Sequence, residues 1–326
     1  VINMSHVKQN NVPVFNAKIG QLLDQKAITL KEKSARYTRL YIGLLFLGAF
    51  FADIGTLMNP SISIFAAVIC TFTSFMIYRK KNRLNLTEQW TYTRVVAESI
   101  KSEWFKYVLG GGDYPIKNRK DEAFYLDFLN SKISQFMDEY KQNIHNVGGD
   151  YVEPEDLFMD KSSTSFRDKP LAERVEYYKL ERMENQKIWY ETKSKNMTKK
   201  IKKYNSLFTF VVAIGTFIGV SMWLNLWQNL NLPLINNADF FSIAIALAFA
   251  FDAFSSINQY ERLSIVYTKS YRDLTESIQE LNNPDNEISS NEVVFNEFIE
   301  DIENKISNEH KSWSITTSTK NMHIIR

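Results

Sequence analysis

The four histidines, His6, His145, His310 and His323, are scattered: no two sit one helical turn apart to grip a metal, and no nucleophile motif lies beside them. Cys70 is the single cysteine and stands in an apolar run, so an intrachain disulfide and a Cys-rich zinc site are both excluded, and packing is its expected role. Gly110-Gly111-Gly112 is followed by Asp113-Tyr114-Pro115, without the Gly-Lys-Ser/Thr of a phosphate loop, and reads instead as the end of a helix. Asp150, Glu153, Glu155 and Asp156 lack the spacing of a calcium loop. Glu98 and Glu276 each follow an arginine, Arg94 and Arg272, by four residues, which places an ion pair on one helix face. These residues predict a protein that is not an enzyme and carries no cofactor or metal.

The residues that stand out physically are acids in apolar surroundings. Leu40 to Tyr78 contains one charged residue, Asp53, and Tyr204 to Gln259 contains two, Asp239 and Asp252; neither window has a Lys or Arg. A carboxylate at such depth must be paired, protonated or wet. Repeated in an oligomer it would form a ring that draws cations, and Thr71, Thr73, Ser74, Thr216 and Ser221 could line the same path. The alternative is that both acids snorkel and the hydroxyls bond back to their own helices. Gly215 and Gly219 form a GxxxG pair suited to close helix packing. One basic and aromatic cluster, Arg94, Lys101, Trp104, Lys106 and Tyr107, is a candidate ligand site, with amphipathic core packing as its alternative.

Elements that position these residues follow from hydropathy. Leu40 to Met58, Ser61 to Tyr78, Ser206 to Trp227 and Phe240 to Ile257 are 18 to 22 residues each, against the roughly 20 that a helix needs to cross a bilayer. Basic residues bracket both pairs: Lys31, Lys33, Arg36 and Arg39 before the first, Arg79 to Arg83 after it, and Lys199 to Lys203 before the second. The connections between paired spans have none, which predicts two hairpins dipping from the cytoplasm, with both termini inside. No cleavable signal peptide is expected in the polar first forty residues. Outside the spans the pattern is helical, with a long helix from Pro170 to Tyr204 running into the third span. The predicted fold is therefore an all-α integral membrane protein of two duplicated hairpins with long cytoplasmic helices. Its units are 1–147 with the hairpin 40–78, a linker 148–169, and 170–326 with the hairpin 206–257. A mean hydropathy of -0.28 and a formal charge of +2 conceal this pattern and supply no field for nucleic acid.

Short identities support the duplication: Gln25-Lys26 with Gln186-Lys187, and Arg94 with Glu98-Ser99-Ile100 against Arg272 with Glu276-Ser277-Ile278. Glu181-Arg182, Gln186, Trp189-Tyr190, Lys193 and Asn196, followed after a hairpin by Phe295, Phe298-Ile299, Ile302-Glu303, Glu309-His310 and Trp313, resemble the SLATT class of bacterial membrane proteins. The first half resembles it through Tyr92, Arg94, Ala97-Glu98, Lys101 and Gly112-Asp113-Tyr114. Two such units resemble the four-transmembrane effectors found beside synthases of nucleotide second messengers. The resemblance implies a membrane-permeabilising effector of antiphage defence in the bacterial inner membrane, triggered by a nucleotide second messenger or a signalling protein. Four spans with so few polar groups cannot enclose a wide path alone, so a pore predicts a homo-oligomer. A constitutive ion channel and a membrane scaffold anchoring a soluble partner are the competing readings.

Overall fold

The computed structural model describes residues 18–53, 59–116, 122–151, 164–224 and 240–317, and every regular element among them is helical, as the sequence predicts. In chain order these are α1 (Lys18–Asp53), α2 (Pro60–Arg83), α3 (Leu86–Leu109), α4 (Glu122–Asn146) and the single turn α5 (Thr164–Arg167). There follow α6 (Leu171–Tyr177), a π-helical stretch (Tyr178–Glu184), α7 (Asn185–Trp223), α8 (Phe240–Ile257), α9 (Tyr260–Asn282) and α10 (Glu292–Thr317). The helix expected to run from Pro170 into apolar sequence does so without a break, from Leu171 to Trp223.

Local chemistry sets several of the ends. Asn59 caps α2 by accepting from the Ser61 amide at 3.1 Å, and Pro60 opens the helix with its φ already fixed. Asn85 between α2 and α3 and Gln259 between α8 and α9 both adopt a left-handed backbone, with φ of 45° and 51°. The corner after the second apolar helix is thus turned in the same way in each half.

Packing divides the chain into two compact units, one of Val1–Lys31, Thr87–Trp189 and Ser270–Arg326, the other of Glu32–Leu86 and Tyr190–Lys269. These differ from the expected sequence units 1–147 and 170–326, because the apolar segments of both halves gather in one unit and their polar helices in the other. Within the expected linker 148–169, the described residues include α5, where Phe166 and Arg167 are buried.

The core of the first unit is built from stripes spaced three and four apart. Ile19, Leu23, Ala27 and Leu30 supply α1, Leu129, Ile133, Met137, Tyr140 and Ile144 supply α4, and Phe295, Ile299, Ile302 and Ile306 supply α10. The glycine run closes α3 as predicted, and Gly111 is required because a Cβ there would run into Ile299. The carbonyls left open at the end of α3 and in the glycine run find donors from distant segments. Arg174 Nη1 donates to Leu109 O at 2.7 Å, Arg167 to the carbonyls of Tyr107 and Tyr114, and Asn296 Nδ2 to Gly110 O at 2.5 Å and Gly112 O at 3.1 Å.

Candidate functional site

In the second unit α1 and α2 pack antiparallel. Ser74 Oγ donates to Tyr41 O at 2.7 Å, Lys81 Nζ donates to Thr38 Oγ1 at 2.8 Å, and Gly48 faces Ala67 and Thr71. Gly215 on α7 lies against Ala244 of α8: a Cβ built on it would stand 2.8 Å from the Ala244 methyl. One member of the GxxxG pair is therefore spent on packing inside the chain, while Gly219 is half-buried. The stretches Pro60–Leu109 and Leu171–Trp223 each hold an 18-residue window long and apolar enough to cross a membrane, and only 11% and 17% of those windows are buried. A core helix of a soluble protein would be mostly covered; here Phe65, Val68 and Phe72 on α2 and Phe210, Phe217 and Val220 on α7 are exposed. Along α2 an open concavity of about 890 Å³ runs from Thr73 past Phe75 and Met76 to Arg79, Lys80 and Arg83, an apolar wall ending in a basic rim.

The polar residues singled out in the apolar segments part into two groups. Ser74 is committed to the Tyr41 carbonyl and Ser221 to Ile218 O at 2.8 Å in its own helix. Thr71, Thr73, Thr216 and Asp252 are exposed, and Asp53 is half-buried at the last turn of α1. Asp239 lies outside the described residues.

The cluster Arg94, Lys101, Trp104, Lys106 and Tyr107 does not form one accessible face. Trp104 is 1% exposed and sits edge-on to Phe105, and Tyr107 is fully buried beneath Arg167, with burial pushing its phenol up to about 12. Lys106 pairs with Glu103 at 3.4 Å. Arg94 makes the predicted ion pair with Glu98 at 2.5 Å and a second with Asp24 at 2.8 Å, and its guanidinium lies over Trp189. Arg272 and Glu276 are both exposed, with no ion pair between them among the described residues. The amphipathic reading of these aromatics is the one their burial supports.

A further polar network lies buried in the first unit. Arg182 in the π stretch donates through Nε and Nη2 to the two oxygens of Glu303 at 2.9 and 2.7 Å, and Tyr178 donates to the same carboxylate at 3.1 Å. Arg182 and Glu303 are 1% and 0% exposed, and Glu98 Oε2 stands 3.8 Å from Arg182 Nη1. Burial works against the guanidinium's charge, yet Glu303 and Glu98 outweigh it and the net effect holds the proton more tightly. Lys101 and Asp24, at the edge of the same network, move the other way: burial lowers the lysine and raises the carboxyl in spite of the opposite charges nearby. Such bidentate, hydrogen-bonded geometry is what a fully desolvated pair requires.

The π stretch positions this network. Buried Tyr178, Arg182, Gln186 and Tyr190 are spaced by four, and four residues overshoot a full α-helical turn by about 40°. The wider π turn takes that drift back and keeps all four on one face. The signal available in sequence was a pair of charged residues at positions that the apolar spacing assigns to a core, Arg182 after Val175 and Tyr178, and Glu303 between Ile299 and Ile306. Among the described residues no group of His, Cys, Asp and Glu is placed to hold a metal.

Residues 20–175 match the family model described as SMODS and SLOG-associating 2TM effector domain 3, and residues 178–313 match that of SMODS and SLOG-associating 2TM effector domain 1. No curated protein and no solved structure matches the chain.

Proposed function

Since the chain belongs to the SLATT effectors, with one 2TM effector domain in each half, we propose that it is a membrane-permeabilising effector of bacterial antiphage defence that acts as a homo-oligomer. The observation that carries this reading is the exposed apolar surface of the second unit, which water disfavours and lipid or other copies of the chain would cover. In this reading the ends of α1, α2, α7 and α8 form four spans in two hairpins, and both termini lie in the cytoplasm of a cell whose inner membrane holds the protein. The first unit is the part that responds to a nucleotide second messenger or a signalling protein. Ion conduction through the assembled spans would be the harmful event, and no step in it requires catalysis.

Topology is tested by cysteine labelling in a Cys70→Ser background. Cysteines placed at 232 to 237 should react with an impermeant reagent from outside the cell, and cysteines at 148 to 169 only after lysis. Labelling of the second set in intact cells overturns the arrangement.

Conduction is tested at Asp252. It is exposed on α8 beside exposed Phe249, so in an oligomer it becomes a ring of carboxylates facing a shared path. Asp252→Asn keeps the shape and removes the charge. Reconstituted bilayers should show a several-fold lower cation over anion permeability, with assembly intact and reduced toxicity in cells. Currents with unchanged selectivity would exclude Asp252 from the path.

A further inference from the structure

Charge is partitioned between the two units far more than the chain's formal +2 suggests. The second unit carries fifteen Lys and Arg against six Asp and Glu, leaving the first with an acidic excess. In the first unit the cations are largely answered by carboxylates: Arg94, Lys106, Lys132, Arg174 and Arg182 all have acidic partners. In the second, Arg39, Lys81 and Lys200 have none among the described residues.

Lys81 reaches the turn of α1 that carries Arg39, and Lys200 lies over one of the two tyrosines that the Arg39 charge acts on. Lys81 Nζ, half-buried, reaches only the Thr38 hydroxyl and the face of Tyr41 at 5.8 Å, and burial lowers its hold on the proton. Arg39, next in sequence to Thr38, is exposed and close enough to the stacked pair Tyr204 and Tyr260 for its charge to act on both phenols. Lys200 Nζ stands 5.0 Å over the Tyr260 ring. Exposed Leu40 and Tyr78 begin the apolar surface immediately beside them.

We propose that the turn of α1 from Thr38 to Tyr41, with Arg39, Lys81 and Lys200 around it, binds the phosphate of an anionic phospholipid. An amphiphile fits because the cations and the exposed apolar band are contiguous, so headgroup and acyl chains are accommodated together. The phosphate supplies the negative charge that Lys81 and Arg39 lack, and the tyrosine rings lie at the headgroup level where aromatic side chains favour the interface. This proposal rests on the membrane reading above.

The test uses the full chain in neutral detergent, with thermal unfolding followed during titration by phosphatidylglycerol, phosphatidylcholine or inorganic phosphate. Phosphatidylglycerol should raise the midpoint saturably and the other two should not. Arg39→Gln and Lys81→Gln should each weaken the apparent affinity about fivefold, the factor equivalent to the ~1 kcal/mol that a basic residue contributes near an anionic surface. Lys81→Arg should retain most of it. Lys305→Gln, which removes a cation paired with Asp301 in the first unit, should change nothing. Should Lys81→Gln fold poorly, Arg39→Gln alone decides, because Arg39 is exposed. Equal affinity of these variants and wild type overturns the site, as does saturation by inorganic phosphate. Flotation with pure phosphatidylcholine vesicles reads insertion separately. A chain that floats there yet shows no preference for phosphatidylglycerol loses only this proposal, and one that does not float loses the membrane reading with it.

Discussion

Arg182→Met will cost the first unit about 3–5 kcal/mol, because it leaves the Glu303 carboxylate buried without its cation. The loss will appear as a large fall in the thermal unfolding midpoint of the detergent-solubilised chain and, in cells, as low abundance and lost toxicity. Glu303 would then accept only from Tyr178 at 3.1 Å. Removing both charges behaves differently: Arg182→Met with Glu303→Leu exchanges the pair for apolar groups, and Tyr178→Phe takes away the hydroxyl thereby stranded. That triple variant should recover most of the lost stability, as buried ion pairs exchanged whole for packed apolar residues commonly do. A single variant as stable as wild type would falsify the central position given to this pair.

The second large effect is expected at Gly48. A Cβ there would stand 2.8 Å from Thr71 Oγ1 and 3.3 Å from the Ala67 carbonyl oxygen; the hydroxyl can rotate away, but the carbonyl belongs to the backbone of α2. Gly48→Leu must therefore push α1 and α2 apart. Overpacking of this kind costs about 1–3 kcal/mol, and between apolar helices in lipid close contact is itself the source of affinity. The expected result is loss of toxicity with the protein still membrane-bound, and easier proteolysis of the 53–60 connection. Gly43→Leu is the matched control. It makes the same chemical change five residues earlier in the same helix, where a Cβ meets nothing within 4 Å, and it should behave as wild type. Equal behaviour of the two variants would exclude Gly48 as a contact that holds the pair together.

Helix identity was legible in the sequence because the physics that decides it is local. The apolar windows, the three and four spacing of α1 and α4, the glycine stop after Leu109 and the Arg94–Glu98 turn each depend on neighbours within a few residues. The grouping of helices was not legible in the same way. Arg182 and Glu303 are separated by 121 positions, and nothing near either one specifies the other. Both do stand among the positions through which the sequence resembles SLATT proteins, as do Glu98, which faces Arg182, and Trp189, which lies under Arg94, so part of that resemblance reflects one network. The cluster around Trp104 shows the converse limit. Basic and aromatic residues close in sequence look alike whether they face a ligand or a core, and only the burial of Trp104 and Tyr107 separates the two.

A π turn differs from the α-helix around it by one surplus residue, so the stretch Tyr178–Glu184 carries the mark of an insertion. Deleting Lys179 would let the backbone relax to ordinary α-helical bonding with the flanking turns left nearly in register, because the π turn spreads one more residue over about the same rotation. The change would fall inside the stretch, where Arg182 would stand three residues rather than four from Tyr178. A one-residue deletion in the regular turns of α7 has no such slack and would rotate everything beyond it by roughly 100°.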